Sequence, residues 1–406
     1  MQDAPAHRIV YDIGAGGLSG TLTTVEASRH RSRTELLLGP LSVVTGSNGH
    51  VNWEQDGGGA VRILGGEELA ENKADTSFSL ESFDPFKKGN AGTVTLAARR
   101  DAQTGCFVLE VRPKGGTQQT VFIDPKTYLV RKFIERKGGI AGTIRIDSYR
   151  TYFGEKIPAQ LQIQYAGLPL AIDAELHEAM RLPEVAEALF SPPNLPKDWE
   201  FISPGTGPQA SVPFALEAGE IVLKATVNGH PLHLLLDSGT GGSFITAQAA
   251  KAAGISVQGS LEALGYGGAS AIGVATAATV EVGAAVRLRH QPVVVIKDPN
   301  VARLLSERGH VDGALGYELF SRFIVQIDFA RNLLTLRDPA SAEKPAAGGI
   351  TLPLKLENRT PTVLASVDAR PPARFLVDTG DAGAIHLYSQ YAQANGLLPR
   401  AGHKVR

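Results

Sequence analysis

The chain has 406 residues, 40 of them Lys or Arg against 41 Asp or Glu. A net charge of −1 excludes a basic nucleic-acid surface and an acidic disordered tail as organising features. Its length accommodates two or three domains with separate cores. Its 45 Gly and 24 Pro favour a turn-rich β protein over a helical bundle.

Residues 1–190 read as a curved antiparallel β domain. TIRIDSYRTY (143–152) alternates apolar and polar side chains, as a strand with one solvated face does. Turn residues punctuate the region at Ser47-Asn48-Gly49, Asp56-Gly57-Gly58-Gly59, Lys114-Gly115-Gly116 and Lys137-Gly138-Gly139. The single cysteine, Cys106, lies in the strand-like run CFVLEV as a small core residue, and it excludes an internal disulfide or a cysteine metal cluster. GAGGLSG (14–20) has Ser19 where a dinucleotide fingerprint needs its third glycine, so it reads as a loop. The opening MQDAPAHRIVYDIG lacks the apolar core of a signal peptide, and no apolar run reaches the roughly 20 residues of a membrane helix. PEVAEALF (183–190) is short and helical or irregular. Residues 191–209, with five prolines and two glycines, read as a linker.

Residues 210–340 open a second unit. Asn228-Gly229 predicts a tight hairpin between LKATV and HPLHLLLD. Leu223, Ala225 and Val227 face one way on its first strand, and Leu232, Leu234 and Leu236 on its second. Asp237 then stands at the end of a strongly apolar strand. AQAAKAAGI (247–255) follows as a short helix stopped by Gly254. Residues 351–398 repeat the plan of 211–256: strand, turn, second strand, Asp-[Ser/Thr]-Gly, then an Ala-rich helix ending at Gly396. The two aspartates, Asp237 and Asp378, are 141 residues apart. A duplication of this length predicts two similar lobes.

Two carboxylates brought together by such a pseudo-twofold cannot both ionise at close range, so they share a proton. The ionised member can take a proton from water while the protonated one polarises a carbonyl, and hydrolysis then needs neither metal nor cofactor. Gly239 and Gly380 let the loops approach without Cβ clashes. The Ser238 and Thr379 hydroxyls can bond across the loops, and the apolar strand ahead of Asp237 disfavours double ionisation.

These residues resemble the retropepsin-like aspartic peptidases, in particular the two-lobed bacterial aspartyl protease family. The motifs are LLLDSGTGGSFI (234–245), VDGALGYELFSRF (311–323) and VQIDFARNLLTL (325–336). The resemblance implies a closed β-barrel lobe. In it, Ala314-Leu315-Gly316 braces the loop of the catalytic Asp237, and ALGYGGAS (263–270) forms a substrate-covering flap with Tyr266 and Gly267. Asp381 departs from the family pattern and reads as a turn residue, with binding of a basic substrate group or disturbance of the dyad as the alternatives. Lobe two, 350–406, ends 28 residues after Asp378 with neither flap nor bracing glycine, so it reads as truncated. A fainter resemblance, on GSNGHVNWEQDGGG (46–59) and VFIDPKTYLVRK (121–132), links the first domain to outer-membrane lipoprotein-carrier (LolA/LolB-like) half-barrels. Those hold acyl chains on their concave face.

Other constellations are weaker. His230 and His233 sit three apart on a strand and face opposite ways, against a shared metal. No HExxH or Gly-x-Ser-x-Gly motif occurs. Asp312 reads as a structural turn residue. The sequence therefore predicts a mainly β protein, with a half-barrel followed by a bilobal aspartic-protease domain. Its expected activity is peptide-bond hydrolysis by Asp237 and Asp378 on a polypeptide substrate, without metal, cofactor, nucleic acid or membrane span. A lipid or acyl chain in the first domain and a periplasmic or extracytoplasmic location are what the resemblance implies. The competing reading is a non-catalytic envelope module that binds lipid or peptide on a protease-like scaffold.

Overall fold

Two antiparallel meanders build the N-terminal half. One runs from Ala6–Ala15 to Val61–Ile63, the other from Gly92–Leu96 to Ala171–Leu182. Pairing of Ala6–Ala15 with Ala171–Leu182 joins them into a 13-stranded curved sheet, and the helix Gly66–Ser77 connects the two. The computed structural model describes residues 6–28, 30–77, 92–137, 140–166, 171–203, 207–265, 268–307, 310–341 and 349–397. Trp53 is wholly buried on this sheet, and its indole N–H donates to the Phe190 carbonyl at 2.8 Å. Cys106 is buried as well.

Residues 191–209 include a strand, Trp199–Phe201, that pairs with Val286–Ile296. The aromatic rings explain this attachment: Trp199 packs 4.6 Å and Phe201 6.0 Å from the Phe323 ring, centroid to centroid.

Lobe one is a closed barrel. The strand Glu220–Val227 pairs with His230–Leu236, which runs parallel to Gly313–Leu315; that segment pairs with Phe244–Thr246, which runs parallel to Val286–Ile296. Gly268–Val282 pairs with both Val286–Ile296 and Glu220–Val227 and closes the ring. The hairpin turn lies at Asn228-Gly229, both at positive φ (49° and 79°), as its tight geometry demands. Leu223, Ala225, Val227, Leu232, Leu234 and Leu236 all fill the barrel interior. Val222 and Leu235 point the other way, into a second cluster with Leu305 and Val311. The inner face of the hairpin is buried along its length and the outer face at the end nearest Asp237, while Lys224 and His233 further along are exposed. Each large buried side chain contributes about 1.5–3 kcal/mol, and Asp237 follows directly from the dry end.

Lobe two keeps the same opening on a smaller scale: Lys355–Glu357, Thr360–Ala365 and Ala373–Leu376 form a three-stranded sheet, followed by the helix Ser389–Ala394. The equivalent tight turns, Ala218-Gly219 in lobe one and Asn358-Arg359 in lobe two, both have positive φ.

The first domain docks onto lobe one through a buried ion cluster. Arg322, 2% exposed, receives Asp56 from the half-barrel and Asp198 from the segment ahead of lobe one, with N···O distances of 2.8 and 2.5 Å. A Cβ on Gly58 would lie 2.4 Å from the Arg322 guanidinium, so the glycine run at 57–59 is what lets this loop approach. The base of the hairpin Gln258–Gly265/Gly268–Val282 also rests on the first domain: Ser260 N–H donates to the Gly16 carbonyl at 2.7 Å, and Val274 packs with Leu18 and Leu38.

Candidate active site

Asp237 and Asp378 are brought together from strand ends in the two lobes. A Cβ built on Gly239 would lie 2.4 Å from Asp378 Cγ, and one on Gly380 would lie 2.4 Å from Asp237 Cγ. Each glycine thus faces the other lobe's carboxyl group, and no side chain fits between them. Each aspartate also accepts the amide N–H two residues on, from Gly239 and from Gly380, at 2.8 Å in both lobes.

Ser238 and Thr379 lock the loops reciprocally. Ser238 N–H donates to Thr379 Oγ1 at 3.0 Å, and Thr379 N–H donates to Ser238 Oγ at 3.1 Å. The Ser238 hydroxyl donates to the Val377 carbonyl and the Thr379 hydroxyl to the Leu236 carbonyl, both at 2.7 Å. Each hydroxyl therefore reaches the residue just before the opposite aspartate. The symmetry extends outward. A Cβ on Gly219 would stand 3.1 Å from Ala382 Cβ, and one on Gly241 would stand 2.6 Å from the Asn358 carbonyl oxygen. The tight turn of each lobe abuts the aspartate loop of the other.

The electrostatics follow from this packing. Burial, and secondly the neighbouring Asp378 carboxylate, push the Asp237 carboxyl up from its ordinary value to about 7. Asp378, in the smaller lobe, is exposed. The pair holds a proton well above the usual carboxylate range, which is the state needed for one acid and one base side by side.

Gly316 stands behind Asp237. The Asp237 N–H donates to the Leu315 carbonyl at 3.0 Å. A Cβ on Gly316 would lie 2.5 Å from Thr240 Cγ2. Beside it is Glu318, 6% exposed, which sequence reasoning did not single out. It accepts from Ser243 N–H at 2.6 Å and from Ser243 Oγ at 2.7 Å, while Gly316 N–H donates to the same hydroxyl at 3.0 Å. Burial raises its carboxyl above the ordinary value. An acid in the otherwise apolar run Ala314–Phe320 was the signal that could have found it.

The remaining candidates separate. Asp312 accepts the His233 amide N–H at 2.9 Å and braces the strand. Asp381 accepts from Gly383 N–H at 2.7 Å and pairs with His386 at 2.5 Å, which makes it part of its own turn. Tyr266 and Gly267 lie outside the described residues, although the flanking strands pair as far as Gly265 and Gly268. Among the described residues no three His, Cys, Asp or Glu side chains cluster as a metal site. A cavity of about 1030 Å³ opens beside the aspartate loop. Its walls come from Thr240 and Phe244 of lobe one, Leu264 and Ala269 of the Gln258–Gly265/Gly268–Val282 hairpin, and Leu41 and Val43 of the half-barrel.

Residues 223–319 match the family model described as Aspartyl protease. The matched stretch contains Asp237, most of the barrel and Gly316, so lobe one is similar to this family over most of its length. Among curated proteins, 2-succinyl-5-enolpyruvyl-6-hydroxy-3-cyclohexene-1-carboxylate synthase of Synechocystis sp. is 47% identical over 60 residues, 14% of this chain. The chain spans only 10% of that protein's length. Among solved structures, an outer membrane lipoprotein-sorting protein domain from Vibrio parahaemolyticus gives a TM-score of 0.33 at 14% identity, over 46% of this chain and 89% of that one. A LolA superfamily protein from Nitrosomonas europaea gives 0.30 at 11% identity, over 47% and 90%. A retropepsin-like aspartic protease from Rickettsia conorii gives 0.23 at 18% identity, over 32% and 90%.

Proposed function

We propose that the protein is an aspartic endopeptidase in which Asp237 and Asp378 share one proton and hold the attacking water. The observation that carries this reading is the reciprocal contact of the two Asp-[Ser/Thr]-Gly loops, with each glycine against the opposite carboxyl. The ionised carboxylate accepts a proton from water as the water attacks the scissile carbonyl carbon. The protonated partner donates a hydrogen bond to the carbonyl oxygen and stabilises the developing charge. Collapse of the tetrahedral species breaks the C–N bond, and the amine leaves with a proton from the dyad. The pair titrates as a unit, so neither aspartate is assigned as the base. Ser238 and Thr379 orient the carboxylates, Gly239 and Gly380 permit their approach, and Gly316 backs the loop. Tyr266 and Gly267, which lie in sequence between the paired residues Gly265 and Gly268, are proposed to act over the substrate. Cleavage of a denatured protein substrate by the wild type but not by Asp237→Asn or Asp378→Asn tests this reading.

One observation favours a second reading. The cavity of about 1030 Å³ between half-barrel and lobe one has the size of a ligand site and mostly apolar walls. A non-catalytic module would bind a peptide or acyl chain there without turnover. Binding of a fluorescent fatty acid by wild type and Asp237→Asn alike, with no cleavage by either, would establish it. An extracytoplasmic location goes with both readings, and fractionation of cells expressing the full-length gene tests it.

A further inference from the structure

The half-barrel touches both lobes, and it touches them by different chemistry. Its grip on lobe one is buried: the Arg322 cluster with Asp56, and Leu18 against the base of the Gln258–Gly265/Gly268–Val282 hairpin. Its grip on lobe two is a row of ion pairs, two partly buried and the third, Glu67 with Arg374, at an exposed edge. Glu54 takes Arg359 at 3.0 Å, Glu71 takes Lys355 at 3.0 Å, and Glu67 takes Arg374. Glu67 and Glu71 are one helical turn apart on Gly66–Ser77, so they present a single acidic face. Lys355 and Arg374 stand on the outer strands of lobe two's sheet, and Arg359 occupies its tight turn.

Arg359 is where the three units meet. It belongs to lobe two and pairs with Glu54 of the half-barrel. Its guanidinium lies 5.2 Å from the ring centroid of Tyr317, next to Gly316 in lobe one. The carbonyl before it, on Asn358, is the atom that a Cβ on Gly241 would meet at 2.6 Å. Small displacements of this turn are therefore transmitted to the loop that carries Asp237.

We propose that the N-terminal half-barrel is a positioning element for the aspartate pair, holding lobe two against lobe one through Glu54, Glu67 and Glu71, with Arg359 as the key residue. The inference rests on the paired-aspartate reading above. Lobe two has a three-stranded sheet and one short helix in its described residues. Three cations of that lobe, Lys355, Arg359 and Arg374, are taken by half-barrel carboxylates, so its alignment rests in part on groups supplied by the first domain. Without them the Asp378 loop drifts from the Asp237 loop, the second cause of the raised Asp237 titration weakens, and the water loses one of its two ligands.

The test is the triple variant E54Q/E67Q/E71Q, which leaves both lobes unaltered, alongside R359M, which alters lobe two alone. Two quantities are read on the full chain: cleavage of a denatured protein substrate, and the titration of the Asp237 carboxyl by carbon NMR, assigned with Asp237→Asn. Burial, and secondly the Asp378 carboxylate, push that carboxyl up to about 7 in the wild type. In both variants kcat/KM is expected to fall about 100-fold, as an ångström-scale misplacement costs, and the titration to move down toward ordinary carboxylates. An unchanged titration in a folded R359M or triple variant overturns the proposal, whatever the rates do. A titration that moves in a protein that cleaves nothing leaves the clamp standing and removes the peptidase reading instead. If the triple variant unfolds, R359M alone decides.

Discussion

Replacing Gly239 or Gly380 by alanine perturbs the pair with the least change elsewhere. The added methyl would stand 2.4 Å from the opposite Asp Cγ, whereas ordinary contact begins at 3.4 Å, so the carboxyl groups must separate by about 1 Å. Neither glycine has the positive φ that would make alanine strained on backbone grounds. Overpacking costs about 1–3 kcal/mol, offset by about 0.4–1 kcal/mol gained from a stiffer unfolded chain. Stability therefore changes modestly. The rate does not: an ångström of misplacement costs about 100-fold, or about 2.7 kcal/mol of transition-state stabilisation. Because Gly239 presses on Asp378 and Gly380 on Asp237, the two variants should behave alike, and their combination should lose less than the product of the two. Initial rates on a denatured protein substrate, with thermal melts of the same samples, give both numbers. Wild-type rates in a folded Gly239→Ala protein would refute the contact geometry.

Further outcomes follow from other contacts. Ser238→Ala removes the bond its hydroxyl donates to the Val377 carbonyl at 2.7 Å and the one it accepts from Thr379 N–H at 3.1 Å, and should cost about 1–3 kcal/mol in urea denaturation; Ser238→Ala with Thr379→Ala should cost less than the sum, because the two side chains serve one network. Folding pushes the Asp237 carboxyl up to about 7, by burial and then by the Asp378 charge, from about 3.9 in the unfolded chain. The folded state thus binds the extra proton between these values, so its contribution to stability is full below about 4 and is lost as pH rises through 7. Melting temperature measured from pH 4 to 8 should show that downward slope, flattened in Asp237→Asn. Arg322→Met strands Asp56 and Asp198 in a buried site and should cost about 3–5 kcal/mol. Chemical denaturation reads this loss directly.

Much of lobe one was legible because its determinants are local. Asn228-Gly229 specifies its own turn, the alternation of Leu232, Leu234 and Leu236 specifies a face, and a repeated Asp-[Ser/Thr]-Gly declares the duplication. The bonding of Ser238 and Thr379 across the loops was legible for the same reason, since each follows its aspartate directly. Long-range partners were not legible. Glu318 acts through Ser243, 75 residues away, and Arg359 through Glu54, 305 residues away. No periodicity encodes such pairings. Composition also hid structure in 191–209, where the prolines outweighed Trp199-Glu200-Phe201, the residues that join the barrel edge.

The central claim is that Asp237 and Asp378 form one catalytic unit. The measurement that tests it most directly is cleavage of a denatured protein mixture from pH 3 to 8 by the wild type, Asp237→Asn and Asp378→Asn. The account predicts wild-type activity on the acid side, where the pair still holds its proton, declining as pH rises through about 7, and loss of activity in each variant. Cleavage that persists in a folded Asp237→Asn protein would contradict it.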